Sequence, residues 1–158
     1  MTTPPYPAKL AIGAIFKNEG PNILEWIAYH RSMGIERIVI ADNDSDDGSA
    51  ELLRELDSRG IVCSFPYNGS PGVPPQLPAY AELLDRYGHL AEWFAFIDAD
   101  EFLVATDGSR PLGSILDGLS LDPDVGAIAL NWAIYGSNAR KTQDGGLVLE
   151  RFQRRASK

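Results

Sequence analysis

The segment IERIVIADNDSDDG, residues 35–48, decides the fold. Its first half contains three consecutive β-branched residues at 38–40, and such a short continuous apolar run is typical of a strand covered on both faces. Its second half, residues 42–48, is acidic and ends in Gly48. We therefore predict a central strand of a parallel sheet that runs directly into a polar loop.

The segments on either side repeat this order of strand, polar loop and helix. The predicted elements are a strand at 8–16, a helix from Pro21 to Met33 with Ile23, Leu24, Ile27 and His30 on one face, a helix after Ser49 capped by Asp47 and ended by Gly60, and a strand at 61–65. Alternating strands and helices favour a parallel sheet with helices on its faces. Ligands bind outside the carboxyl ends of such strands, so the loops at 17–21 and 42–48 are expected to be neighbours.

The second half of the chain has shorter patterns. Five prolines and two glycines in residues 66–78 predict a loop. The predicted elements after it are a helix at 79–87 ended by Gly88, a strand at 93–97, a turn-rich stretch around Asp107 and Gly108, a short helix at 112–116, and strands at 125–130 and 147–152. We predict one domain over residues 1–158, with residues 1–7 flexible.

Composition excludes several classes of protein. The net charge of −8 argues against nucleic-acid binding, which needs a basic surface. Cys63 is the only cysteine, so neither an intrachain disulfide nor a cysteine zinc site can form, and a reducing cytoplasm is the expected location. No signal-peptide pattern and no run of about 18 apolar residues is present, so we predict no transmembrane segment.

The strongest local signal is an apolar strand that ends in two aspartates, Asp98 and Asp100, separated by one alanine. Carboxylates two positions apart at a strand end can turn toward one site and offer the hard oxygen ligands that Mg²⁺ or Mn²⁺ prefers. Mutual repulsion between the two carboxylates in a partly desolvated cleft would also favour a bound cation.

The other acidic segment, the loop at 42–48, has an alternative interpretation as a solvated, helix-capping loop.

Two other acidic motifs do not fit the spacing. The haloacid dehalogenase phosphatase motif places Thr or Val where this chain has Phe102, and it follows the first strand. The EF-hand loop requires glycine where this chain has Asp47 and a glutamate where it has Leu53. Neither class is indicated.

The chain resembles GT-A-fold glycosyltransferases of the family-2 and family-92 type. The resemblance is carried in order by residues 17–19 after the first strand, by the acidic loop 42–49, by the aromatic strand and acidic pair at 93–103, and by residues 131–137. It implies a three-layer αβα, Rossmann-like fold with a mostly parallel central sheet. It also implies metal-dependent transfer of a sugar from a nucleoside-diphosphate sugar, of UDP or GDP type, to a glycan or other hydroxyl acceptor with inversion.

By the same resemblance, the nucleotide sugar is bound by Asn18, Glu19, Asp42, Asn43, Asp44 and Asp98, and the Mn²⁺ or Mg²⁺ ion by Asp98 and Asp100. Gln76 and Tyr80 fall where related enzymes place residues near the donor, and loop or core roles are open alternatives. Trp132 is a candidate stacking surface for the acceptor. His30 and His89 lack metal-ligand spacing and are expected to be structural or surface residues.

An inverting transferase needs a general base, for which Glu101 is the candidate and Glu150 the alternative. The resemblance implies further sequence on the acceptor side, so the chain is expected to be either a truncated fragment or an unusually short variant. Two other functions stay open: a noncatalytic nucleotide-sugar-binding module, and a nucleotidyltransferase. The second usually has a glycine-rich basic phosphate loop after its first strand, and this chain has none there.

Overall fold

The first strand, β1 (Ala8–Phe16), lies inside a four-stranded parallel sheet. The computed structural model describes residues 7–106, 111–117, 124–137 and 145–155. The other strands of the sheet are β2 (Arg37–Asp42), β3 (Cys63–Pro66) and β4 (Ala91–Phe96), in the order β3-β2-β1-β4. Phe16 pairs with Asp42 and Gly13 with Phe96, so the carboxyl ends of β2, β1 and β4 lie at one edge.

Three helices follow the first three strands. They are α1 (Gly20–Ser32), α2 (Ser49–Ser58) and α3 (Gln76–Tyr87), and short 3₁₀ turns occupy Gly88–Leu90 and Leu112–Leu116. The α3 helix begins three residues earlier than predicted, so the predicted loop at 66–78 ends at Pro75. The three predicted strands at 35–41, 61–65 and 93–97 are confirmed with shifts of one or two residues at their ends.

The core has two layers because strand residues alternate between the two faces of the sheet. Ile38 and Ile40 pack with residues of α1 and α2 on one face. Val39 and Ala41, the intervening residues of β2, pack with residues of α3 on the other face. This three-layer αβα arrangement around a parallel sheet confirms the predicted Rossmann-like fold.

The helices differ from the prediction in two further respects, the N-cap of α2 and the buried face of α1. Gly34 and Gly60 adopt the left-handed backbone that ends α1 and α2, with φ of +86° and +67°. The N-cap of α2 is Gly48 rather than Asp47, although the Asp47 carboxylate accepts the Ser49 N–H. On α1 Leu24 is exposed and Trp26 is buried, so the predicted apolar face is wrong at that position.

The chain divides into two compact units, residues 1–117 and 118–158. The described residues of the second unit form a short antiparallel pair, β5 (Tyr135–Gly136) with β6 (Arg154–Arg155), and a one-turn helix, α4 (Val148–Arg151). The strands predicted at 125–130 and 147–152 are wrong. Residues 125–130 pair with no described strand, and residues 147–152 satisfy their backbone locally through bonds such as Arg151 N–H to Leu147 O.

Some predictions fall on residues outside the described ranges. They are the flexible start, of which residues 1–6 are not described, and the turn around Asp107 and Gly108. Among the described residues, no helix combines the length and the apolar character needed to cross a membrane.

The close contact between β1 and β4 predicts a mutation effect. A Cβ added at Gly13 would lie 2.7 Å from Phe96 Cε1 and 3.1 Å from Leu83 Cδ1. We expect Gly13→Ala to lower the unfolding free energy by about 1–3 kcal/mol because it overpacks this face. Gly88→Ala is the matched control, since no atom lies within 4 Å of its added Cβ. Equal denaturation midpoints for the two variants would contradict the expectation.

Candidate functional site

The loops after β1 and β2 are joined by side-chain hydrogen bonds. Asn18 Nδ2 donates to Asp46 Oδ1 at 2.9 Å, and the Asp46 N–H donates to Asn18 Oδ1 at 2.9 Å. The Asn18 N–H also donates to Ser45 Oγ at 3.0 Å. The predicted neighbourhood of these loops is confirmed, and both ends of the Asn18 amide are used to brace the second loop.

Asp47 ties the starts of two helices together. Its Oδ2 accepts the Gly20 N–H at 3.2 Å and its Oδ1 accepts the Ser49 N–H at 2.9 Å. Hydrogen bonding to Ser49, whose N–H donates to Oδ1, holds the pKa of Asp47 below its ordinary value. An ionised Asp47 therefore accepts the first N–H of both helices at the same edge of the sheet.

Two residues of these loops have unusual backbone geometry. Asn18 and Asp44 adopt positive φ, 58° and 55°, without being glycine. Such residues are uncommon and occur at functional sites, where surrounding contacts hold them in place. The brace between Asn18 and Asp46 supplies such contacts on the first loop.

Asp42 differs from the other acidic residues of its loop because it is buried. It lies at the end of β2, where its backbone carbonyl accepts the Tyr67 N–H at 2.7 Å, and only 8% of its surface is exposed. Its Oδ1 is buried without a hydrogen-bond partner in the described part of the chain. An unmade hydrogen bond on such an atom costs about 1–3 kcal/mol, so a ligand donor there would be favourable.

The flanking predicted residues are partly accessible. Asn43 is half-buried, and its N–H donates to Phe16 O at 2.8 Å. Glu19 Oε2 accepts Asn22 Nδ2 at 3.0 Å within the first turn of α1. Asp44 is exposed. These residues therefore lie at the ends of β1 and β2, at the same edge of the sheet as Asp42.

The acidic pair after β4 sits on a tight turn. The Glu101 N–H donates to Asp98 O at 3.1 Å, and the Asp98 N–H donates to Glu101 Oε2 at 3.0 Å. Asp98 and Asp100 are both exposed, so the expected desolvation of this pair is wrong. Within the four described ranges, no three His, Cys, Asp or Glu side chains form a group that could hold a metal ion.

Gln76 and Tyr80, whose roles the sequence left open, lie beside this turn. Gln76 Nε2 donates to Asp98 Oδ1 at 3.2 Å and to Tyr80 Oη at 3.1 Å. The Tyr80 ring stacks on Phe96, with centroids 4.3 Å apart, and burial raises the pKa of Tyr80. The first turn of α3 therefore contacts the first aspartate directly.

Sequence reasoning missed a set of aromatic contacts from α1. Trp26 Nε1 donates to both Asp98 O and Glu101 O, at 3.0 and 2.9 Å. Tyr29 Oη donates to Leu103 O at 3.0 Å, and the Leu103 N–H donates to His30 Nε2 at 3.2 Å. We call Trp26, Tyr29 and His30 the α1 clamp and residues 98–103 the acid turn. The available signal was the spacing of the three aromatic residues along one helix.

His30 is fully buried in this clamp. Its ring stacks on Phe102 with centroids 5.8 Å apart, and Trp26 and Tyr29 meet it edge-on. Burial lowers the pKa of His30 to about 4, against the opposing effect of its hydrogen bond to Trp26 O. The ring is therefore neutral at physiological pH, and the expected structural role of His30 fits its position.

The predicted acceptor residues lie in the second unit. Trp132 has 79% of its surface exposed, and Glu150 lies exposed on α4. The site geometry above therefore rests on the first unit alone.

The arrangement defines a class of protein, namely a Rossmann-like α/β domain whose polar loops meet at the carboxyl ends of three adjacent parallel strands. The sequence model of the protein family called glycosyltransferase family 92 matches residues 12–153 of this chain. The chain belongs to glycosyltransferase family 92. Family 2, which the sequence also resembles, is a different family designation.

Relatives from plants support this assignment. A glycosyltransferase family 92 protein of Oryza sativa subsp. japonica is 32% identical over 132 residues, which are 83% of this chain and 22% of the relative. One of Ricinus communis is 33% identical over 136 residues, 85% of this chain and 24% of the relative. The chain thus spans less than a quarter of the length of these relatives.

The buried neutral His30 predicts a pH dependence of stability. Its pKa falls from 6.5 in the unfolded chain to about 4 in the folded protein, so the unfolded state binds the proton more readily between those values. Its contribution is complete above pH 6.5 and is lost as the pH falls toward 4, a difference of about 3 kcal/mol. Unfolding free energies measured across this range should fall less steeply for His30→Gln than for the wild type.

His89→Gln is the control for this titration because His89 is exposed. It should keep the wild-type pH slope. A His30→Gln slope equal to that of the wild type would show that His30 does not cause the dependence.

Proposed function

We propose that this chain is the donor-binding part of a glycosyltransferase that moves a sugar from a nucleoside-diphosphate sugar to an acceptor hydroxyl. The observation that carries the proposal is the buried Asp42 Oδ1, which has no partner in the described residues and lies at the same edge as the acid turn. Membership in glycosyltransferase family 92 supports the reaction class.

Asp42 would bind the nucleotide base or ribose. An ionised carboxylate only accepts hydrogen bonds, so its partner must offer an N–H or O–H group. Uracil and guanine both carry a ring N–H, and ribose carries hydroxyls, which is consistent with a UDP or GDP donor. Asn43, whose amide can both donate and accept, would complete the recognition, with Glu19 and Asp44 beside it.

Asn18 would act on the donor through the loop it braces. Both ends of its amide already bond Asp46, so its contribution is to hold residues 44–47 in place. The positive φ of Asp44 is one feature of the geometry that this brace maintains.

Asp98 and Asp100 would hold Mn²⁺ or Mg²⁺, whose chemistry is Lewis-acid stabilisation of the diphosphate leaving group. Two exposed carboxylates on one turn fit a cation that completes its coordination with phosphate oxygens and water, as Mg²⁺ commonly does. They do not form an all-protein cage, in keeping with the lack of a larger acidic group in the described ranges. Gln76 would orient Asp98 through its hydrogen bond to Oδ1.

Glu101 is the candidate general base for an inverting displacement. In that step the acceptor oxygen bonds the anomeric carbon, the bond from that carbon to the diphosphate breaks, and the hydroxyl proton passes to the carboxylate. One Glu101 oxygen already accepts the Asp98 N–H, so the other would face the acceptor. Trp132, whose ring is exposed, remains a candidate acceptor-stacking residue within the second unit.

A noncatalytic donor-binding module is the second candidate. The observation that favours it is the engagement of Glu101 Oε2 with the backbone of the turn, which suits a structural carboxylate as well as a base. The nucleotidyltransferase alternative has no such support, because the loop after β1 is occupied by the brace to Asp46.

The metal part of the proposal predicts cation-dependent nucleotide binding. A thermal-shift screen of UDP, GDP and ADP should give an increase in Tm for UDP or GDP that requires Mn²⁺. Asp100→Ala should remove the Mn²⁺ dependence, whereas Asp85→Ala, at an exposed position on α3, should preserve it. If Asp100→Ala responds to Mn²⁺ as the wild type does, Asp100 is not a ligand.

The base-binding part predicts a separate effect at Asp42. Asp42→Asn should weaken nucleotide binding about 10-fold, because a hydrogen bond to a charged acceptor is replaced by a weaker one to a neutral amide, while cation binding without nucleotide is unchanged. Asp85→Asn is the control, because it makes the same substitution at an exposed position on α3. Isothermal titration calorimetry separates the two affinities, and unaltered nucleotide affinity in Asp42→Asn would refute the assignment.

Turnover distinguishes the enzyme from the module. Release of UDP or GDP from donor sugars, measured with Mn²⁺ and a panel of glycan acceptors, should be lost in Glu101→Gln without loss of donor binding. Donor binding without any turnover in the wild-type chain would favour the binding module.

A further inference from the structure

The acid turn is held by a helix as well as by its own strand. Trp26 contacts the turn at two carbonyls, and Tyr29 and His30 contact both the C=O and the N–H of Leu103. Residues 98–103 contain both candidate metal ligands. The backbone on either side of Asp100 is thus hydrogen-bonded to the α1 clamp.

The α1 clamp is itself firmly fixed. Trp26 is fully buried and meets the ring of Phe16 edge-on, with centroids 5.2 Å apart. Phe16 is the last residue of β1, directly before the first polar loop. The contact therefore relates the acid turn to β1, not only to β4.

The hydrogen bonds of His30 define its tautomer. Its Nδ1 lies 2.9 Å from the Trp26 carbonyl oxygen, which can only accept, so Nδ1 carries the proton. Nε2 then has a lone pair and accepts the Leu103 N–H. Only the neutral Nδ1–H form satisfies both partners, which makes His30 a specific acceptor and not merely a core residue.

The exposed carboxylates need such support. A cation site loses affinity when its ligands must be ordered on binding, and groups that orient ligands typically change metal affinity 10- to 100-fold. Apart from the clamp, the turn is held by its own Asp98–Glu101 bonds and by Gln76. The clamp is the part of this support that comes from a buried element.

We propose that Trp26, Tyr29 and His30 are positioning residues that hold the acid turn in its cation-binding conformation. The proposal rests on the proposed function for the role of Asp98 and Asp100. The clamp acts through the backbone of residues 98, 101 and 103, to which its hydrogen bonds go.

The decisive test uses Tyr29→Phe in the full chain, because this change removes one hydroxyl and keeps the ring. Loss of the hydrogen bond to Leu103 O should loosen the acid turn, so that the Leu103 amide, although still bonded to His30, exchanges faster and the Kd for Mn²⁺ rises about threefold. Ser32→Ala is the matched control: it removes a hydroxyl from the same helix that bonds Tyr29 O and does not contact the acid turn. It should change neither quantity.

Rescue at His30 separates positioning from general stability. His30→Leu should raise the Kd for Mn²⁺ about tenfold, whereas His30→Gln, whose amide oxygen can accept the Leu103 N–H, should stay within about twofold of the wild type. Both variants disturb the buried ring cluster, so a purely structural role would weaken both equally. Equal Kd values for Leu and Gln would overturn the proposal.

A spectroscopic signal reports on Trp26 directly. In ¹⁵N-labelled protein, Mn²⁺ should broaden the Trp26 indole resonance, assigned with Trp26→Phe, because its Nε1 lies 3.0 Å from Asp98 O. If the wild-type chain binds no Mn²⁺, the proposed metal site fails, while Leu103 exchange still tests the clamp. Binding of Mn²⁺ with the wild-type Kd in both Tyr29→Phe and His30→Leu would overturn the clamp and leave the metal site intact.

Discussion

The pairing of β1 with parallel neighbours on both of its edges is the constraint on which the structure depends. With β2 on one side and β4 on the other, β1 is covered by helices on both faces, and its residues Ala11, Ile12, Ala14 and Phe16 have no exposure to solvent. The connections between parallel strands must cross the faces of the sheet. As a result, β1, β2 and β4 all end at the same edge. The candidate site exists because that edge gathers three polar loops.

The polar residues at this edge divide into two groups. Asn18 and Asp47 satisfy backbone and side-chain groups of the neighbouring loops, and Trp26 satisfies the acid turn. Asp42, by contrast, keeps a buried oxygen without a partner in the described residues. Since buried polar atoms are nearly always hydrogen-bonded, the second group is the better guide to a ligand.

Much of this arrangement was predictable because its signals are local. The continuous apolar run before Asp42 and the aromatic strand before Asp98 are confirmed as β2 and β4. The strands at 125–130 and 147–152 were wrong for a physical reason: a strand requires a partner backbone, and an apolar pattern does not supply one. Similarly, the helical spacing correctly predicted that His30 lies on the buried face of α1, but it assigned Leu24 to that face in place of Trp26. Adjacent faces of a short helix differ little in sequence.

The sequence by itself determined the alternation of strands and helices, the positions of the polar loops and the acidic pair at the end of β4. These follow from hydrophobic periodicity and turn residues, which act over a few positions. Only the tertiary structure decided that Asp42 is buried while Asp98 and Asp100 are exposed, and that α1 holds the acid turn. The hold of α1 on the acid turn depends on contacts between residues more than 70 positions apart, such as Trp26 with Asp98, which no local pattern encodes.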